Sequence, residues 1–227
     1  MIRAAIFDLD GTLFDRATSV HRCIEAQYRR HAESLKAVSA VEFVEKFLEL
    51  DARGYTPKDV VYAQLVEQFS LQPGMQTVLF DDFYAYYHSH AVGFFGLHEM
   101  LDELHRAGLR LGIITNGRTT HQLATIRALD LESKFDAILI SEREGVRKPA
   151  AEIFRRALDL LSADAGETVY VGDHPAIDIE GARSAGLWTI WKKDPFWGEC
   201  ESSHASVEEL SELPPLLGSW PPAEKRG

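Results

Sequence analysis

Cysteine is nearly absent: only Cys23 and Cys200 occur in 227 residues. No disulfide framework is therefore implied, and a reducing, cytoplasmic setting is expected. Basic residues are also in short supply, with 24 Lys and Arg against 35 Asp and Glu and a formal charge of −11. This balance disfavours nucleic acid and anionic membrane surfaces as partners, because both select basic surfaces. Long apolar runs are missing, and no stretch approaches the roughly 20 residues that cross a bilayer. The first hydrophobic run begins at residue 4, so no secretion signal is expected ahead of it. Internal repeats and low-complexity segments are lacking too. The remainder, 45% hydrophobic and 26% charged, suits one large globular domain or a core with a smaller insert. A small anionic ligand would need a local cationic patch or a metal to be held on such a chain.

Five short β-rich runs are present, at 3–9, 110–115, 136–141, 167–172 and 187–191. Helical spacing separates the last four, over 97–107, 118–129, 150–161 and 177–185. The first of these helices carries Leu97, Met100, Leu101 and Leu104 and stops at Gly108. Apolar strands alternating with helices predict a doubly wound α/β domain with a parallel sheet. Residues 16–92 read differently, as four helices near 18–34, 40–51, 57–70 and 75–90. Ser39 with Glu42 forms a capping box, and Thr56-Pro57 places an N-cap before a first-turn proline. A core of 1–15 and 93–227 with an inserted helical cap at 16–92 is the expected organisation. The connections fall at about 13–17 and 91–97, where Gly93 and Gly96 suit either a hinge or a plain loop. The tail from Pro214 is expected to fray beyond a last short helix near 207–213.

The segment "AAIFDLDGTLFD", residues 4–15, ends a buried-looking run with two acids. In a strand Asp8 and Asp10 would point the same way, and carboxylates that close repel unless a cation or proton is shared. Such a pair needs a metal or a catalytic task. Ligands in open α/β sheets bind at the carboxyl ends of the strands. That rule gathers Asp8-x-Asp10-Gly11-Thr12, then Thr115-Asn116-Gly117, then Arg147-Lys148-Pro149, then "VGDHPAID" with Asp173 and Asp178.

This ordered set resembles the haloacid dehalogenase superfamily of phosphatases, across almost the whole chain and with a helical cap inserted after the first motif. The resemblance implies that Asp8 is a nucleophile forming an aspartyl-phosphate, and that Asp10 is the general acid and then the base. It implies Mg²⁺ held by the Asp8 carboxylate, the Asp10 backbone carbonyl and Asp173, with Asp178 orienting a metal-bound water or Lys148. Thr115 and the N–H groups of Asn116 and Gly117, at a helix N-terminus, suit a phosphate oxygen, and Lys148 adds a point charge. Gly11 permits the tight turn, and Thr12 supports that turn and Asp10.

The implied activity is a Mg²⁺-dependent phosphatase of small phosphorylated metabolites, phosphosugars or nucleoside monophosphates. A phosphomutase is the nearest alternative. A metal-independent dehalogenase lacks the second acid of the first motif and the paired acids of the last, all present here. A non-enzymatic regulator would be expected to have lost one of them. In "LDARGYTPKD", residues 50–59, Arg53 and Tyr55 lie between two helices, as a leaving-group-selecting loop or an ordinary turn. Asp15 reads as a linker residue, His174 as a bystander and Arg147 as a solvated neighbour of Lys148. His88-Ser89-His90 reads as packing or surface rather than a metal pair, and Phe80, Phe83, Tyr84 and Tyr87 as one buried helix face. The sequence does not distinguish a monomer from a homodimer.

Overall fold

Between Arg16 and Val92 the computed structural model, which describes residues 1–221, is entirely helical. Helices α1 (Arg16–Arg30), α2 (Ala40–Asp51), α3 (Lys58–Gln68) and α4 (Met75–Tyr86) form one compact unit. Ser39 opens α2 with the expected capping box: its hydroxyl accepts the Glu42 N–H, and the Glu42 carboxylate accepts the Ser39 N–H at 3.1 Å. Thr56 caps nothing. Pro57 itself occupies the cap position of α3, without a side-chain bond, because the helix begins one residue later than its spacing suggested.

Aromatic packing holds this unit together. Phe47 and Phe83 stack with centroids 5.9 Å apart, and Tyr87 lies 4.9 Å from Phe83. The expected aromatic face is narrower than its spacing implied. Phe83 and Tyr87 are buried, Phe80 is half-buried, and Tyr84 is exposed. Gln27, fully buried, donates to the Leu79 carbonyl and to Asp82 and accepts the Tyr62 hydroxyl, tying α1 to α3 and α4. Its amide thus leaves no polar atom unmatched in the apolar interior.

The second unit comprises Met1–Asp15 and the chain from Gly93 onward. Its sheet is parallel throughout: β1 (Ala4–Phe7), β2 (Arg110–Thr115), β3 (Ala137–Ile140), β4 (Thr168–Gly172), β5 (Trp188–Lys192) and β6 (Ala205–Val207), in the order β3-β2-β1-β4-β5-β6. Helices α5 (Leu97–Arg106), α6 (Thr119–Ala128), α7 (Ser141–Glu144), α8 (Ala151–Leu161), α9 (Gly181–Ser184) and α10 (Leu213–Gly218) flank it. α8 buries Ile153, Phe154, Ala157 and Leu161 in a cluster with Ile6, Ile114, Leu139 and Tyr170 of the sheet.

Three features depart from the sequence reading. A sixth strand, β6, precedes the helix expected near 207–213, where the chain forms only a 3₁₀ turn at Leu210–Glu212 before the last helix at Leu213–Gly218. Residues 177–185 are not one helix but a π-helical turn, Pro175–Glu180, leading into α9. Gly93 lies not in an open loop but in a short antiparallel bridge with Phe14. The final part of the tail, 222–227, lies outside the described residues.

The strand order reverses at β1: β2 and β3 are laid down on one side of it, and β4 to β6 on the other. A crevice opens where such an order switches, at the carboxyl ends of β1 and β4. Those are the ends that carry Asp8 and Asp173.

Candidate active site

β1 is buried along its whole length and ends at Phe7, so Asp8 emerges from an apolar strand into the crevice. The Asp8 N–H still bonds the Val171 carbonyl of β4 at 2.9 Å, which fixes the residue against its neighbouring strand. The chain then turns away at Gly11, whose φ of +91° disfavours any residue with a side chain. A Cβ there would also lie 2.7 Å from Asp173 Oδ2, so the turn and the approach of Asp173 both require glycine.

Lys148 is 2% exposed and is the hub of the site. Its Nζ donates to Asp8 Oδ1 at 2.5 Å, to Asp178 Oδ1 at 2.7 Å and to the Tyr170 hydroxyl at 2.8 Å. Three donors meet three acceptors, which satisfies the ammonium completely. The Asn116 side chain clamps the Lys148 backbone from both sides: its Oδ1 accepts the Lys148 N–H at 3.0 Å, and its Nδ2 donates to the carbonyl at 3.1 Å.

Asp8, Asp173 and Asp178 are all buried, with one carboxylate oxygen of each within 4.8 Å of the others. Burial is the largest influence on Asp8 and raises its pKa well above the carboxylate range. Lys148 opposes this, while Asp178, Asp173 and Asp10 add to it. Asp173 is pushed up to about 7 by burial and then by Asp178, against the indole N–H of Trp197. Burial alone would lower Lys148, but Asp178 and Asp8 outweigh it and raise its pKa. Three buried acids facing one lysine lack positive charge, and an all-oxygen donor set suits a hard divalent cation such as Mg²⁺. The residues therefore fit the expected metal. The oxygens brought together are those of Asp8, Asp173 and Asp178, whereas the Asp10 carboxylate turns elsewhere.

Asp10 Oδ2 accepts the amide of Gln122 at 2.7 Å, and the same nitrogen donates to Thr115 Oγ1 at 2.5 Å. Of the two amides expected at the phosphate, that of Gly117 has a side-chain partner. The Gly117 N–H donates to Ser141 Oγ at 3.0 Å, and the first N–H of α6, at Thr119, donates to Glu142 at 2.8 Å. Neighbouring side chains already satisfy these donors. Thr12 also departs from its expected role: its hydroxyl is buried, bonds neither Asp10 nor the turn, and has no partner among the described residues.

His174 has a structural task. Its ring nitrogen accepts the Ile177 N–H to cap the π-helical turn, and its own N–H holds Asp178 Oδ2 at 3.1 Å. Arg147 is exposed. Arg53 and Tyr55 are exposed residues on and just after the 3₁₀ turn Ala52–Gly54 of the helical unit. His88 and His90 join no cluster of metal-ligating side chains among the described residues.

Four participants escaped the sequence reading: Gln122, Tyr170, Trp197 and Ser141. Tyr170 offered a signal, since a hydroxyl in the otherwise apolar run "TVYVG" needs a polar partner once buried. It accepts from Lys148 and donates to Asp178 Oδ1 at 3.0 Å. Trp197 Nε1 reaches Asp173 Oδ2 at 3.3 Å, and its ring stacks on His174 with centroids 4.1 Å apart.

Residues 5–192 match the family model described as haloacid dehalogenase-like hydrolase. The chain is 41% identical over 98 residues to glyceraldehyde 3-phosphate phosphatase of Pyrococcus abyssi, covering 43% of this chain. It thus spans less than half, 41%, of that relative's length. It is 30% identical to N-acylneuraminate-9-phosphatase of Rattus norvegicus over 96% of this chain and 94% of that one. The fold matches the magnesium-bound HAD-hydrolase YfnB of Bacillus subtilis with a TM-score of 0.75 at 20% identity, over 95% and 98% of the two chains. No helix among the described residues is long and apolar enough to cross a membrane.

Proposed function

Because this chain belongs to the haloacid dehalogenase-like hydrolase family, we propose that it is a Mg²⁺-dependent phosphatase acting on small phosphorylated metabolites, with phosphosugars favoured. The observation that carries this reading is the buried trio Asp8, Asp173 and Asp178 around Lys148, short of positive charge at the switch point of the sheet. The names of the relatives, a triose phosphate phosphatase and a sialic acid phosphate phosphatase, support sugar phosphates over nucleotides.

Asp8 attacks phosphorus and the ester oxygen departs, leaving an aspartyl-phosphate that water then hydrolyses. Lys148 bridges Asp8 and Asp178, holding the nucleophile in place and offsetting charge on the transferred group. Asp173 and Asp8, with the Asp10 backbone carbonyl, would hold the metal, and Asp178 keeps Lys148 aligned. When bound, Mg²⁺ neutralises the carboxylates and polarises the phosphoryl oxygens. Asp10 gives its proton to the leaving oxygen and later takes one from the attacking water. The Thr115 hydroxyl binds a phosphoryl oxygen, with the Asn116 N–H beside it. The helical unit serves as a cap, and Arg53 and Tyr55 select the leaving group.

Phosphate release from a panel of sugar phosphates and nucleoside monophosphates, with Mg²⁺ and again with EDTA, tests the proposal. Release that peaks on one sugar phosphate and disappears in EDTA is expected; no release from any substrate overturns it. Arg53→Ala should shift the ratio of kcat/KM between the best and second-best substrates by about tenfold. An unchanged ratio removes Arg53 from the selecting loop.

A further inference from the structure

The geometry points to Gln122 as the positioning residue of the acid–base step: it determines which oxygen of Asp10 carries the transferable proton and where the Thr115 hydroxyl points. The inference rests on the phosphatase reading above and adds to it a residue that contacts neither metal nor phosphate.

Gln122 is 3% exposed and lies in the first turn of α6, its N–H bonded to the Arg118 carbonyl at 3.0 Å. From there its side chain reaches back to the carboxyl ends of β1 and β2. One amide nitrogen lies 2.7 Å from Asp10 Oδ2 and 2.5 Å from Thr115 Oγ1. An amide nitrogen carries two hydrogens, so each acceptor receives one. The carboxylate sets the amide orientation, because the opposite one would press the Gln122 carbonyl oxygen against a carboxylate oxygen. Gly117 makes room for this reach: a Cβ there would lie 3.0 Å from Gln122 Cγ.

Two consequences follow for the reaction. With Oδ2 held as an acceptor, a proton on Asp10 resides on Oδ1. During transfer the ester P–O bond breaks, the phosphoryl group passes to an Asp8 carboxylate oxygen, and the departing oxygen takes the Oδ1 proton. Thr115 Oγ1 likewise accepts from Gln122, so its single hydrogen is directed away from the amide and toward a phosphoryl oxygen. Without Gln122 the Thr115 hydroxyl would be able to donate to Asp10 instead, and both groups would lose their fixed orientation.

The test compares leaving groups. Gln122→Met keeps side-chain length and burial but removes both donors; Gln122→Ala is the second variant if Met disturbs α6. kcat/KM is measured for p-nitrophenyl phosphate, whose phenolate leaves without protonation, and for an alkyl phosphate that needs a proton at its leaving oxygen. The aryl ester should lose roughly 3- to 10-fold through Thr115 alone. The alkyl ester should lose about 10- to 100-fold more, because it also depends on Asp10. Equal losses on the two esters indicate a packing role and overturn the inference, as does no loss on either. A wild-type protein that releases phosphate neither from these esters nor from any member of the sugar-phosphate panel overturns the phosphatase reading and this inference with it.

Discussion

Asp8→Asn is expected to reduce phosphate release by roughly 10⁴-fold or more, the scale on which loss of a nucleophile is felt, while leaving the fold intact. A carboxamide cannot form the acyl phosphate, and the neighbouring acids are engaged: Asp178 with Lys148, Tyr170 and the His174 N–H, Asp10 with Gln122 and Asp173 with Trp197. Stability should move the other way. Burial and three neighbouring acids raise the pKa of Asp8, so the ionised group is held at a cost in the metal-free protein. Asn keeps an oxygen to accept from Lys148 and removes one of the repelling charges. In EDTA the melting temperature of Asp8→Asn should therefore equal or exceed that of the wild type. A variant that is inactive and also melts earlier would mean that Asp8 serves mainly as the structural partner of Lys148. A variant that still turns over would remove Asp8 from the chemistry.

The residues that lead to this prediction are legible in the sequence because each stands at the end of an apolar strand, where an acid is locally out of place. Asp8 follows "AAIF" and Asp173 follows "TVYVG". The supporting groups carry no such local mark. Gln122 is 112 residues from Asp10 and Lys148 is 140 from Asp8, so only the folded sheet brings them together. Lys148 was found because its Lys-Pro motif has a fixed order among the others, whereas Gln122 reads as one more polar residue on a helix. The Gly117 amide shows the opposite case. Its place after Thr115 suggests an anion site, yet the Ser141 hydroxyl, contributed by the first residue of α7, already takes that N–H.

The same distinction governs the fold. Strands buried on both faces advertise themselves as continuous apolar runs, which is why β1 to β5 could be read directly. β6 is three residues at the sheet edge, "ASV", with one buried position, and has no such run. The π-helical turn is equally local in cause and invisible in periodicity. His174 caps it, and the widened turn brings Asp178 to Lys148, so its shape follows from bonds across the site rather than from residue spacing.

The electrostatics of the trio predict a pH-dependent demand for metal. Asp173 has a folded pKa of about 7 against an ordinary value of 3.8, and Asp8 is raised as well. Below pH 3.8 both groups are protonated whether the chain is folded or not, and their contribution to stability is fully retained. As pH rises toward 7 the unfolded chain releases protons that the folded one keeps, so the folded state loses this contribution, and for Asp173 the loss is complete above 7. Other groups act in the reverse sense; Asp82, whose pKa is lowered by Arg30, Gln27 and His31 against its burial, is one. The clean measurement is therefore the difference between melting curves in Mg²⁺ and in EDTA at each pH, from which such groups cancel. Mg²⁺ binds the deprotonated carboxylates only, so this difference should be small at pH 5 and grow through pH 8. With the ion at 100 times its dissociation constant the stabilisation is about 2.7 kcal/mol, or roughly 5–10 °C for a chain of this size. Asp173→Asn should flatten the difference across the pH range. A Mg²⁺ effect of the same size at pH 5 and pH 8, or one that survives in Asp173→Asn, would place the ion somewhere other than this trio.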